Sequence, residues 1–149
     1  MIIIITCLFL VGGSFFIDNF LGKKPCDLCL ITRYSHLTIA FLAIASLFFT
    51  NTTLKKGLIV MLFGALCFGF YHVGVENHWW SGPAHCTTDL LPTLSTAIDG
   101  QINGIRCDVV NFAIFGISLT VYNFVALAGL FWIFSIAITI ESFKKKYDI

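Results

Sequence analysis

Charge is what this sequence has least of. Aspartate, glutamate, lysine and arginine make up 11% of its 149 residues, against about 25% in an ordinary soluble domain. A chain this short cannot bury a 58% hydrophobic composition in a soluble core, so it reads as an integral membrane protein of one domain, residues 1–149. Basic blocks are missing too. Beyond Lys144, Lys145 and Lys146 there is no run of cations, and the net charge is +1. That leaves out the electrostatic footprint of a nucleic-acid binder. No internal repeat or low-complexity linker is present, and the 12 glycines are scattered through apolar runs, where small residues let membrane helices approach closely.

What is present is a set of apolar runs long enough to cross a hydrocarbon core of about 30 Å. The first covers residues 2–21. It has neither a basic n-region nor a small-x-small cleavage site before Gly22, so it is expected to stay as a helix and not to act as a signal peptide. Asp18 is expected near the water. The second span covers about 30–50, with Arg33, Tyr34 and His36 assigned to the interface. A tight polar loop at 51–56 leads to the third, 57–75. The long apolar stretch from Val109 is expected to break at Gly116-Ile117-Ser118. Residues 109–115 would then lie along the interface, and Ser118 would cap a fourth span at 119–140.

Cys7 and Cys67, alone inside apolar spans, read as packing residues. Trp79 and Trp80 read as interfacial aromatics, and Glu76 and Asp108 as solvated span-end charges. Residues 22–29 and 76–108 form the two loops of one face. Within the second, Leu90, Leu91, Leu94 and Ile98 at helical spacing predict a short helix on the bilayer surface. The fold class is therefore an all-α membrane protein, a four-transmembrane-helix bundle with a short interfacial helix in its second outer loop.

Both termini share a side with the 51–56 loop. Lys55, Lys56, Lys144, Lys145 and Lys146 lie there, against Lys23, Lys24, Arg33 and Arg106 on the other side. The positive-inside rule thus places the termini in the cytoplasm by a narrow margin. The cysteines agree. Cys26, Cys29, Cys86 and Cys107 all fall in the opposite loops, and disulfides persist in compartments outside the cytosol.

The densest chemistry lies in Pro25-Cys26-Asp27-Leu28-Cys29, followed by Arg33-Tyr34. A closely spaced thiol pair can close into a disulfide and exchange two electrons through a mixed disulfide. On a helix, Cys29 and Arg33 form an i,i+4 pair, and a cation there favours the reactive thiolate. With Cys86 and Cys107 on the same face, two thiol pairs suggest a relay from a water-soluble dithiol to the membrane edge. Such a relay needs a sink, and a lipid-soluble quinone would supply one, with Arg33 beside it.

The spacing leaves other readings open. The four loop cysteines can be two structural disulfides of a non-enzymatic protein, or a four-thiolate zinc site with only one short Cys-x-x-Cys. His36 and His72 can ligate a b-type haem between helices or stand as interfacial polar residues, and Arg33 can be a snorkelling anchor. Covalent c-type haem fails because Leu30, not His, follows Cys29.

Several segments together resemble a known family. They are Pro25-Cys26-Asp27-Leu28-Cys29 with Arg33-Tyr34, Tyr71-His72-Val73-Gly74-Val75-Glu76, Trp79-Trp80-Ser81-Gly82-Pro83 with Cys86, and Arg106-Cys107-Asp108 followed by Phe115-Gly116-Ile117-Ser118-Leu119 and Tyr122-Asn123. In this order they are similar to the disulfide bond formation protein B (DsbB) family of bacterial inner membranes. The resemblance implies a membrane thiol:quinone oxidoreductase that reoxidises DsbA, a periplasmic thioredoxin-fold thiol oxidase, and passes electrons to ubiquinone or menaquinone. By position it implies that Cys86 forms the mixed disulfide with the partner and that Cys107 pairs with Cys86 and transiently with Cys26. Cys29 would face the quinone, with Arg33 as the family's arginine beside it. No metal is implied. The chain departs at Phe112, where members often carry Trp. The vitamin K epoxide reductase type, a related quinone-linked relay, has its Cys-x-x-Cys after the loop pair, whereas here it comes first.

Overall fold

The computed structural model describes residues 1–22, 24–49, 51–83, 106–110 and 112–147. The surface helix expected around Leu90 to Ile98, and Cys86, lie outside them. Among the described residues four helices are long and apolar enough to cross a membrane. They are α1 (Ile2–Phe20), α2 (Asp27–Phe48), α3 (Thr52–Glu76) and α4 (Leu119–Tyr147). The shortest, α1, has 19 residues, about 28 Å at 1.5 Å per residue.

Neighbours in sequence are neighbours in space. α2 packs on α1, α3 on α2 and α4 on α3, while α1 and α4 barely meet. The bundle is therefore open along the α1–α4 seam. Its core is apolar, built around Ile39, Leu58, Leu62 and Leu127 with Cys7. At one end Lys55 Nζ lies 2.6 and 2.8 Å from the two carboxylate oxygens of Glu141. That contact brings the 51–56 turn and the end of α4 together, as an up-and-down topology requires.

Helix ends differ from the hydropathy limits because caps set them. α2 starts at Asp27 and not near residue 30, so Cys29 lies in a helix turn and not in a loop. α3 starts inside the expected polar loop, since Asn51 Oδ1 accepts the Thr53 backbone N–H at 2.8 Å. α4 begins where expected, with Ser118 Oγ accepting from Val121 N–H at 3.3 Å, but runs through the expected tail to Tyr147.

The break at Gly116 is a hairpin. β1 (Ala113–Ile114) pairs antiparallel with β2 (Ile117–Ser118), and Phe115 and Gly116 both take positive φ, 52° and 80°. That is the conformation of a two-residue primed turn.

Three expectations about burial are corrected. Arg33 and His36 turn into the bundle, 7% and 1% exposed, and do not snorkel outward. Tyr34 between them is exposed, as helical geometry dictates. Glu76 is not a free solvated charge, because Ser118 Oγ donates to its carboxylate at 2.7 Å. Cys67 is exposed while Cys7 is fully buried, so only Cys7 is a packing cysteine.

Trp80 folds back on α3. Its Nε1 donates to the Tyr71 carbonyl at 3.0 Å and its ring stacks on Tyr71 at 6.1 Å. The ring lies where a side chain at position 74 would stand: a Cβ on Gly74 would sit 2.0 Å from Trp80 Cζ2. Gly74→Ala is expected to expel the indole at a cost of about 1–3 kcal/mol. The readout is a lower melting temperature with a red shift of Trp80 fluorescence, measured with Trp79 and Trp132 replaced by Phe. An unshifted emission would show that the indole does not depend on this gap.

Candidate active site

Cys26 and Cys29 meet across the first turn of α2. Cys26 is extended (φ −73°, ψ 167°), and as N-cap its Sγ accepts the Cys29 backbone N–H at 3.3 Å. The two sulfurs lie 2.8 Å apart, and both are free thiols. His72, one turn before the end of α3, brings Nε2 to 3.7 Å from Cys26 Sγ and 3.9 Å from Cys29 Sγ. Sequence reasoning treated His72 as an interfacial residue or a haem ligand. Its place at the outer end of the span that follows the Cys-x-x-Cys helix was the available signal for its role here.

These contacts favour a thiolate on Cys26. The hydrogen bond from the Cys29 thiol, helped by His72 and the Cys29 backbone N–H and opposed by burial, lowers Cys26 from 9.0 to about 5. The partial positive charge of the helix start acts in the same direction. Arg33, expected to do this for Cys29, is engaged elsewhere. Its Nη2 lies 2.7 Å from Asp18 Oδ2 and also bonds Ser14 Oγ, and its guanidinium sits 4.4 Å over the Phe15 ring. All three partners are on α1. Asp18 was the unnoticed partner of a buried cation, and a carboxylate inside an apolar span is the pattern that signals one.

The fourth expected residue within view, Cys107, is buried and disulfide-bonded, with its partner outside the described residues. It packs in one cluster with Cys26, Leu28 and Val75. The backbone on either side of it is clamped: Arg106 Nε and Nη2 donate to the two Asp108 carboxylate oxygens at 2.9 and 2.6 Å. Arg106 also holds that carboxyl below its usual range.

Cys26, Cys29, Arg33, His36, His72 and Cys107 line one cleft. Its apolar wall is formed by Leu10 and Val11 of α1 and Leu119 of α4, so it lies along the open seam. Phe112, in the position of the family's frequent Trp, also lines it.

Cys26, Cys29 and His72 place three donor atoms within 4.8 Å of one another, a set that a thiophilic cation such as zinc accepts. Two thiolates on one tetrahedral zinc stand about 3.8 Å apart, given Zn–S bonds of about 2.3 Å. The observed 2.8 Å suits a dithiol about to close better than a metal pair.

Comparison with known proteins agrees with this geometry. The chain is 32% identical over 95 residues to "Disulfide bond formation protein B 1" of Pseudomonas fluorescens strain Pf-5, covering 64% of this chain and 51% of that protein. It is 31% identical over 97 residues to the protein of the same name from strain Pf0-1, with the same coverage. Over a shorter stretch of 39 residues it is 46% identical to the Pseudomonas savastanoi protein, covering 26% of this chain and 23% of that one. The chain thus spans about half the length of the first two relatives. No solved structure matches it. The family model described as "Disulfide bond formation protein DsbB" matches residues 1–137, nearly the whole bundle and every cysteine described above, and the chain belongs to that family.

Proposed function

We propose that this protein is a thiol:quinone oxidoreductase of the bacterial inner membrane. In this reading it reoxidises a periplasmic thioredoxin-fold oxidase of the DsbA type and reduces ubiquinone or menaquinone. Its termini are cytoplasmic and its cysteine loops periplasmic. The observation that carries the reading is that Cys107, from the second outer loop, meets the Cys26–Cys29 pair at one end of the bundle. A disulfide-bonded Cys107 packs in the same cluster as Cys26, and Cys29 opens onto a cleft between membrane helices.

The cleft suits a quinone head group in chemistry. Apolar side chains form its wall, and two buried polar atoms on α2, Arg33 Nε and His36 Nε2, have no hydrogen-bond partner. It encloses only about 70 Å³, less than a substituted quinone ring occupies. A head group would therefore arrive from the bilayer by parting α1 from α4, the adjacent helices that touch least.

The electron route is a series of balanced exchanges. A partner thiolate attacks Cys86 of a Cys86–Cys107 disulfide. The second partner thiolate then displaces Cys86, and the partner leaves oxidised. Cys107 thiolate attacks Cys26 of an oxidised Cys26–Cys29 pair, forming a Cys26–Cys107 bond and leaving the electron pair on Cys29. Attack by Cys86 on Cys107 restores the loop disulfide and frees Cys26. The resulting dithiol is the state seen here. When bound, a quinone supplies the sink: two electrons and two protons leave the Cys26–Cys29 dithiol, and a quinol and a disulfide result. His72, in reach of both sulfurs, is placed to carry a thiol proton.

Two outcomes are expected. Purified protein with a reduced thioredoxin-fold donor should reduce added quinone anaerobically, and Cys29→Ser should bring quinol formation to background while the protein stays membrane-inserted. Retained turnover in that variant would remove Cys29 from the route. The second outcome concerns pH. A Cys26 lowered from 9.0 to about 5 stabilises the folded dithiol form fully above pH 9.0 and loses that contribution as pH falls through about 5. Thiolate ultraviolet absorbance of the reduced protein should therefore persist at pH 7 and vanish below about pH 5. In Cys26→Ser it should be absent at pH 7. A wild-type signal that appears only near pH 9 would contradict the assignment.

A further inference from the structure

His36 is the polar side chain of the cleft for which the thiol relay has no use. It is fully enclosed, one helical turn deeper than Arg33 on the same face of α2, and it lines the cleft. Its Nδ1 lies 2.7 Å from the Thr32 carbonyl oxygen. A carbonyl only accepts, so Nδ1 carries the hydrogen, and the neutral ring presents a lone pair at Nε2. That lone pair is buried with no partner among the described residues. Reversing the ring would put Cδ2 where Nδ1 stands and lose the bond to the Thr32 carbonyl, so the observed orientation is the satisfied one.

Arg33 Nε is the other buried orphan of the cleft, and the two are of opposite kinds: an N–H that donates and a nitrogen that accepts. A quinone offers only carbonyl oxygens. It can satisfy the arginine, and it leaves His36 as lonely as before. Adding two electrons and two protons turns each carbonyl into a hydroxyl, and a hydroxyl donates.

We propose that His36 Nε2 accepts a hydrogen bond from a hydroxyl of the hydroquinone, so that the cleft holds quinol more tightly than quinone. This rests on the quinone reading above. The electrons and both protons still come from the Cys26–Cys29 dithiol, which closes to a disulfide. His36 takes no proton and only accepts a hydrogen bond. Because the bond exists only after the oxygen is protonated, it acts on the product side and draws electrons out of the thiols. The same chemistry serves a benzoquinone or a naphthoquinone.

The test is equilibrium binding of decyl-ubiquinone and decyl-ubiquinol to the full chain in nanodiscs, under argon, with Cys26 and Cys29 replaced by Ala in every sample to prevent turnover. Wild type should prefer the quinol by roughly two- to tenfold, the range one net hydrogen bond supplies. His36→Phe should lower quinol affinity by that factor and leave quinone affinity unchanged. His36→Gln, whose Oε1 also accepts, should keep part of the preference. Equal wild-type affinities for the two forms overturn the proposal without any variant, as does a His36→Phe loss that is the same for both. Wild type that binds neither form overturns the quinone reading itself. Binding of both without preference leaves that reading standing and removes only the role of His36.

Discussion

The position at which α2 begins governs the rest of the site. Cys26 is the last extended residue, and the helical ladder opens with Leu30 N–H on its carbonyl at 3.0 Å. From there the spacing of three, four and three residues puts Cys29, Arg33 and His36 below Cys26 on one stripe of the helix. Had the helix begun three residues later, Cys29 would belong to a loop and its distance to Cys26 would be unfixed. The helix start also supplies the oriented N–H groups that favour negative charge on sulfur. A thiolate stabilised in this way makes the corresponding disulfide more oxidising, because the reduced form is the one that gains. The same turn thus sets both the geometry and the redox poise of the dithiol.

A second constraint comes from burying a cation among membrane helices. Arg33 is held by Asp18, by Ser14 and by the face of Phe15, all on α1. α1 contributes little else to the core, where Cys7 and Val11 are its only fully buried residues. An unpaired buried charge costs several kcal/mol, so with Arg33 inside the bundle the outer half of α1 must stay where Asp18 meets it. It also explains how one wall of the cleft can be firmly attached to α2 yet nearly free of α4.

The spans were legible because bilayer thickness sets their length and composition, and residues 2–21 and the start at Leu119 came out within a residue. Their ends were less so. Asn51 and Cys26 extend their helices by hydrogen bonds to backbone N–H groups, which hydropathy does not register. Burial was the least legible property. Cys7 and Cys67 look alike in sequence, and only the packing of neighbouring helices puts one in the core and the other outside. Arg33 read alone belongs at a surface. It can be buried because Asp18 arrives from another helix, and no local pattern joins two residues fifteen apart across a turn. His72 was missed for the same reason.

The arrangement of sulfurs also bears on direction in the proposed relay. Cys107 is buried in one cluster with Cys26, Cys29 packs against that cluster, and all three line the cleft with Arg33. In the proposed route Cys107 attacks Cys26, its neighbour in that cluster, and the sulfur released is Cys29. The leaving thiolate is then born on the side where an acceptor would sit, without either cysteine having to turn. Attack in the opposite sense, on Cys29, would free Cys26, which is buried where Cys29 is half-buried. The helix start that holds the dithiol therefore also buries its two sulfurs unequally, and in the proposed relay the deeper one receives and the shallower one delivers.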